Sequence, residues 1–408
     1  MSTSSHALAF NPFLPEVHED PYPLYARLRS EDPVHRSEIG FWVLTRHADV
    51  LALLRDPRTS RDPRSSERVE LLRASVEVGQ LLDEEEAAPS MLFVDPPDHT
   101  RLRTLVNKAF TPAAVERLRS RVEEIVDGLL DRVAGAGAMD VVEDLAYPLP
   151  VTVICEMFGV PEADWDRFRT WSRGLVRLLD PLVAEDAFEQ ALEARRGLRG
   201  YLRELIAERR AHPADDLLTA LIAAEDQGQA LSEPELVSMC VLLLVAGHET
   251  TVNLIANGTI ALLRHPRALA RLKADPSLAG GAVEELLRYD SPVQFTSRHA
   301  LADFEIDGRP VRTGETVVGV LGAANRDPAQ FADPDELDLA RKPNRHVAFG
   351  GGIHFCLGAP LARVEAATAI PAMLERCPNI ELAGTPVRRD TVTLRGLSSL
   401  PVGFQATG

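Results

Sequence analysis

The stretch FGGGIHFCLG, residues 349–358, sets one cysteine among four glycines, with a histidine two places ahead of it. Cys356 stands just before a helical pattern that begins near Ala359. A helix start offers unpaired N–H groups and the positive end of a dipole. Both favour thiolate over thiol, so the position suits a ligand or a nucleophile. Glycines permit unusual backbone angles and the close approach of something flat or bulky. The plain alternative is an inert buried cysteine. A zinc site fails for want of Cys or His partners at ligand spacing. An iron–sulfur cluster normally takes about four thiolates, and Cys155, Cys240, Cys356 and Cys377 show no such spacing. A nucleophilic cysteine needs a general base, and His354 is a conceivable one. A haem needs one protein ligand and a flat slot, and that fits best.

A second stretch, LLLVAGHETT at residues 242–251, puts an acid and a hydroxyl almost directly after a glycine in an apolar run. Glycine inside a helix costs roughly 1 kcal/mol relative to alanine. The simple reading is a helix packed through Gly247, with Thr250 bonding back to a carbonyl one turn earlier. His248-Glu249 begins an HExxH zinc motif, but Val252 stands where the second histidine would be. Further along, Glu285 and Arg288 share one helix face at i,i+3 spacing, by default a surface ion pair. His99 and Arg103 share a face at i,i+4.

These residues need a scaffold, and the pattern predicts a mainly helical one. Helices are expected over Tyr22–Ser30, Ala48–Arg55, Thr100–Ala109, Pro112–Ala134, Pro148–Phe158 and Glu162–Leu179. More follow over Ala184–Ala211, Asp215–Ala224, Glu233–Arg264, Pro266–Asp275, Leu278–Tyr289 and Ala359–Arg376. Thr111-Pro112 and Ser232-Glu233-Pro234-Glu235 read as helix starts. Phe41–Arg46 reads as a strand, and Val293–Val320 alternates around the hairpin signal Asp307-Gly308. The tail VTLRGLSSLPVGF is strand-like. The expectation is a single domain over 1–408 of about a dozen helices and a few short sheets. Its smaller β-rich region comes mainly from 11–60, 293–320 and 390–405. The acidic run Asp83-Glu84-Glu85-Glu86 reads as a solvated loop or as part of a functional lid.

Of the 408 residues, 45% are apolar, enough for a large core. With 44 basic against 61 acidic residues the net charge is −17, which should repel nucleic acid and anionic membranes. Unpaired cysteines suggest a reducing compartment. With no signal-peptide pattern, and with an apolar run Cys240–Gly247 far shorter than the roughly 20 residues of a membrane span, the expectation is a soluble cytoplasmic protein.

The pattern Phe349-x-x-Gly352-x-His354-x-Cys356-x-Gly358 resembles the cysteine-ligand loop of the cytochrome P-450 family. The stretch Leu242–Thr251 resembles that family's distal helix, and Glu285-x-x-Arg288 with Arg341 its buried structural network. The likeness runs from about Asn11 to the end and includes Ala324-Asn325-Arg326-Asp327-Pro328 and Leu394–Pro401. It implies the P-450 fold of soluble bacterial type, with haem b between the long distal helix and the cysteine loop. Cys356 would be the axial iron ligand, with Phe349 and Gly350 beside the sulfur and Gly358 allowing the turn into the helix. His99, Arg103, Arg298 and His354 would hold the haem propionates. The distal helix would open locally, Ala246 and Gly247 would leave room for dioxygen, and Thr250 would hydrogen-bond it. Glu249 would relay protons, since an alcohol beside an acid can deliver them where bulk water is excluded.

The implied activity is monooxygenation, hydroxylating or epoxidising a mid-sized apolar molecule of secondary metabolism, such as a macrolide, polyketide, terpenoid or steroid. Alternatives are a peroxide-driven peroxygenase and a non-catalytic haem-thiolate sensor. The intact acid–alcohol pair argues against both. The pocket is expected to draw on Ser66–Val94, Glu162–Leu182, Leu242–Ala246, Val293–Thr296 and Gly396–Ser398, with Leu242, Val245, Val293, Gln294 and Leu397 as walls. Electrons would come from a ferredoxin and its reductase, docking on Arg101, Lys108, Lys342, Arg345 and Arg363. A monomer is expected.

Overall fold

A computed structural model describes residues 8–38, 40–68, 88, 90–180, 185–226 and 228–406. The acidic run at 83–86 lies outside them. The chain opens with α1 (Pro15–Glu19) and α2 (Tyr22–Glu31), then β1 (Val34–Arg36), β2 (Trp42–Leu44), α3 (His47–Arg55) and β3 (Thr59–Ser60). The helical body follows: α4 (Asp98–Ala109), α5 (Pro112–Arg117), α6 (Arg119–Val133), β4 (Ala138–Asp140), a π-helical turn at Val142–Ala146, α7 (Pro148–Met157), α8 (Trp165–Val176), α9 (Glu185–Ala211) and α10 (Leu217–Ala223). A small hairpin, β5 (Glu225–Asp226) and β6 (Gln229–Ala230), leads to α11 (Glu233–Arg264), α12 (Pro266–Ala274) and α13 (Ala279–Tyr289). The rest is β7 (Phe295–Ala300), β8 (Phe304–Ile306), β9 (Arg309–Val311), β10 (Thr316–Val320), α14 (Leu321–Ala324), α15 (Ala359–Arg376), β11 (Glu381–Leu382), β12 (Val387–Arg388), β13 (Leu397–Ser399) and β14 (Pro401–Gly403).

Local chemistry sets the boundaries that matter for the site. Ser232 and Glu235 close a reciprocal capping box at the start of α11, so the helix begins where the sequence places it. Thr111 accepts from the Ala114 N–H at 3.1 Å ahead of Pro112. The expected helix over 112–134 is two, because the Leu118 N–H turns back to Val115 O at 3.0 Å and tightens the chain there. The expected helix over 162–179 is α8 with a 3-10 turn at each end. Asp307-Gly308 makes the β8–β9 hairpin, with both residues at positive φ, +50° and +72°.

A five-stranded sheet runs β1-β2-β10-β7-β3, with β10 parallel to β2 and the other pairs antiparallel. Its register sets Arg298 opposite Val317 and Ser60 opposite His299. The largest hydrophobic cluster lies among the helices, and a smaller one packs under this sheet. At about 1.5 Å per residue, α11 is about 48 Å long. Among the described residues it alone is long and apolar enough to cross a membrane, yet 61% of its apolar window is buried in the protein. From Thr251 to Leu262 every residue of α11 is buried. Just upstream the pattern breaks. Leu242, Leu243, Val245, Gly247 and Thr250 are half-buried and Ala246 is exposed, in the middle of a core helix.

Candidate functional site

Cys356 sits at the mouth of α15, its N–H bonded to Phe349 O at 3.0 Å. Two effects compete at its thiol. Burial pushes the pKa up, while the N–H groups of Gly358 and Ala359 and the cations Arg103 and Arg363 pull it down. Burial wins. The helix start therefore favours the thiolate, as expected, without outweighing burial, and a bound metal cation would add to its pull.

The glycines have separate tasks. Gly350 and Gly352 adopt φ of +71° and +64°, which side chains resist. A side chain on Gly352 would strike the Leu54 carbonyl at the end of α3, so its bareness serves chain packing and not only a cofactor. Gly358 has an ordinary φ of −77°, so no special turn requires it; a Cβ there would stand 4.0 Å from the Cys356 sulfur.

The four residues expected to bind anionic groups come from two elements and the cysteine loop. His99 and Arg103 are on α4, Arg298 on β7 and His354 in the loop. The rings of His99 and His354 are 4.4 Å apart, and the Nε2 of each is buried without a hydrogen bond. The Arg298 guanidinium bonds Thr296 Oγ1 and Ser297 O at 3.1 and 2.9 Å. Arg61, which sequence reasoning missed, reaches the same two acceptors at 3.0 and 3.2 Å. Burial, aided by neighbouring cations, lowers Arg298 to about 9 and His354 to about 3; burial lowers Arg61 to about 10. Arg103 is also lowered by burial, against the opposing pull of the Cys356 sulfur. Asp95 accepts the Arg61 N–H at 3.2 Å and is the nearby carboxylate that offsets this charge. Like charges and open imidazole nitrogens gathered away from water call for an anion. The two propionates of a haem satisfy that demand, so the residues present fit the group.

On α11 the Thr250 hydroxyl approaches Ala246 O at 3.4 Å, a long bond to its own helix. Glu249 is 1% exposed. Its Oε2 is ion-paired with Arg389, from the segment after β12, and its Oε1 has no hydrogen bond. That oxygen lies 3.7 Å from His248 Nε2. His248 is fully buried, bonded to Leu244 O at 2.8 Å and to Ser172 Oγ of α8 at 2.7 Å. The helix is unbroken here, so the expected local opening is replaced by side chains that engage the Leu244 and Ala246 carbonyls. A Cβ added to Gly247 would stand 3.2 Å from Ile154 of α7, so its bareness makes room for packing, while Ala246 is exposed.

The Glu285–Arg288–Arg341 group comes together as a buried knot. Arg288 forks onto both Glu285 oxygens at 2.8 and 2.7 Å, and Arg341 Nε reaches both at 3.1 Å. The pocket walls divide. Leu242, Val245 and Val293 keep part of their surface open. Leu397 is 0% exposed in the main core. Gln294 is buried and bonded to Tyr25 Oη and Ser291 O at 3.1 and 2.7 Å, so it braces the scaffold, and the small cavity it lines is shared with Tyr25, Phe295 and Arg395 and with none of Leu242, Val245 or Val293. The docking cations divide too. Arg101 pairs with Glu235, Lys108 with Asp226 and Arg363 with Glu284, whereas Lys342 and Arg345 are exposed without a carboxylate among the described residues.

A family model described as Cytochrome P450 matches residues 80–405. The chain is 43% identical to the polyketide biosynthesis cytochrome P450 PksS of Bacillus subtilis, over 97% of this chain and 99% of that one. It is 46% identical to the cytochrome P450 monooxygenase PikC of Streptomyces venezuelae, over 95% and 91% of the two chains. The solved structure of Bacillus subtilis PksS superposes with a TM-score of 0.89 at 42% identity, covering 97% of this chain and 100% of that one.

Proposed function

Because this chain belongs to the cytochrome P450 family, we propose that the Cys356 sulfur would hold the iron of its haem and that Glu249 and Thr250 would serve proton delivery to dioxygen. The chain is a monooxygenase whose cofactor is haem b and whose oxidant is dioxygen. Bound haem supplies the activation of dioxygen, one atom of which enters the substrate while the other leaves as water. The observation that carries the site assignment is the buried cluster of Arg61, Arg298, His99 and His354, two imidazoles open, beside a sulfur at a helix start. These residues and Arg103 hold and orient the cofactor's carboxylates. Thr250, only weakly bonded to its own helix, is free to turn its hydroxyl outward. Glu249 exchanges a proton at Oε1, the oxygen that Arg389 leaves unbonded.

The substrate is a mid-sized apolar molecule of secondary metabolism. Leu242, Val245 and Ala246 offer it an apolar surface, and the name of PksS points to polyketides. The electron donor is a ferredoxin with its reductase, met by exposed Lys342 and Arg345. The protein works as a cytoplasmic monomer. One experiment tests the reading. The reduced protein under CO should give the strongly red-shifted Soret band of thiolate ligation, and Cys356→Ser should abolish it. A titration with macrolides, terpenoids and steroids should then convert the haem spin state, and ferredoxin should drive turnover of the binders. A band that is absent from the parent, or that survives Cys356→Ser, overturns the proposal.

A further inference from the structure

Arg363 was expected to be a free cation for docking, and its surroundings say otherwise. Its Nε and Nη2 donate to the two oxygens of Glu284 at 2.7 and 3.0 Å. His346 Nε2 lies 3.1 Å from the same carboxylate. Burial alone would raise Glu284, but these hydrogen bonds outweigh it and hold the carboxyl down at about 2. On its other side the guanidinium covers the Phe349 ring, 4.6 Å from the centroid. Phe349 in turn accepts the Cys356 N–H through its carbonyl. A planar cation held by a fork on one edge and an aromatic face on the other keeps one position. A surface ion pair worth about 0–1 kcal/mol needs no such fixing.

We propose that Arg363, aimed by Glu284 and seated on Phe349, is a fixed charge that sets the reduction potential of the iron held by Cys356, with Glu284 as its counterweight. The inference rests on the haem-thiolate reading above. Reduction of the ferric iron adds one electron from the redox partner, and so one negative charge, to a half-buried site. A cation fixed nearby favours that state and an anion disfavours it. Arg363 is thus a positioning and tuning residue, and its carboxylate partner limits how far it raises the potential.

The signs make this testable. Potentials are measured by spectroelectrochemical titration of the purified holoprotein. Arg363→Gln should lower the potential. Glu284→Gln, which leaves the cation uncompensated, should raise it. The double variant should fall between the two. Arg363→Lys keeps the charge without the fork and the stack, so its shift should be smaller than that of Arg363→Gln. If Arg363→Gln does not hold haem, the opposite signs expected of Glu284→Gln and Arg363→Lys decide. Loss of packing alone would move every variant in one direction. A common direction, or no movement, in a protein whose CO complex keeps the thiolate Soret band overturns the inference and leaves the haem-thiolate reading standing. A parent protein without that band overturns both.

Discussion

Glu285 and Glu365 are both 0% exposed, and their helices, α13 and α15, pack against each other. Their surroundings have little else in common. Glu285 is met by the Arg288 fork, by Arg341, by the Asp338 N–H at 2.9 Å and by Asn344 Nδ2 at 3.1 Å. Arg288 is itself fully buried and donates onward to the carbonyls of Asn325, Pro334 and Glu336. Glu365 has Thr251 of α11 close by, yet neither oxygen makes a hydrogen bond of good geometry. Burial accordingly pushes it up to about 8. The difference teaches that burial alone does not decide what a carboxylate is for. Donors do. With donors on every side, Glu285 ties the segment 325–341 to α13. Without them, Glu365 is a neutral acid at pH 7 against the helix that carries Thr250.

The largest effect should come from breaking the satisfied knot. Glu285→Ala strands Arg288 and Arg341 without their counter-charge. Losing one partner of a buried pair costs about 3–5 kcal/mol, a large share of the roughly 5–15 kcal/mol that holds a domain together. The expected result is a protein that melts far below the parent or is recovered without haem, read by thermal denaturation and the CO difference spectrum. A variant with the parent's melting temperature would show that the network contributes little.

Glu365 should make the protein's stability depend on pH. Its folded value of about 8 stands above its ordinary 4.5, so the folded state binds the proton more tightly than the unfolded chain. The sign follows from linkage: this stabilisation is full below 4.5 and is lost as pH rises through 8. The loss is at most about 1.4 kcal/mol per pH unit across that window. The slope arises because the folded acid stays neutral while the same group in the unfolded chain ionises. Glu365→Gln, neutral at every pH, should remove this slope and exceed the parent's stability most clearly near pH 9. Urea denaturation at pH 5, 7 and 9 measures it. An unchanged slope would mean that Glu365 finds donors after all.

The same contrast explains how far the sequence could be read. The ends of α11 and α15 were legible because caps and prolines are local signals. The residue types His99, Arg103, Arg298 and His354 were legible because they sit inside recognisable motifs, and the structure does bring them to one place. Arg61 was not, since only the pairing of β3 with β7 carries it to Thr296. Arg389 lies 140 positions from Glu249, and nothing near either residue announces the pair. Gln294 and Leu397 were expected in the pocket because they lie within the segments Val293–Thr296 and Gly396–Ser398. Their burial was set instead by α2 and by the main core. Gly352 was read as clearance for a cofactor, but the α3 carbonyl it avoids comes from a segment 300 residues earlier.

Glu249 stands between the two extremes, with one oxygen held by Arg389 and the other unbonded, and His248 is its neighbour on that open side. Burial lowers the His248 pKa, so the ring is neutral, and its Nδ1 lies 2.8 Å from a carbonyl that can only accept. Nδ1 therefore carries the proton, and Nε2 accepts from the Ser172 hydroxyl. That bond ties α8 to α11 one residue away from the acid. Ser172→Ala leaves a buried acceptor without a donor, at a cost of about 1–3 kcal/mol, the smallest of the three effects. The loss should appear as a modest drop in melting temperature with the thiolate Soret band intact. It should also appear as more peroxide released per electron pair consumed, since a ring free to turn toward Glu249 would disturb the proton exchange proposed for that acid. Ser172→Thr, which keeps the hydroxyl, should recover the parent's ratio of product to peroxide. If Ser172→Ala loses stability but keeps that ratio, the bond is a brace between two helices and has no part in delivering protons.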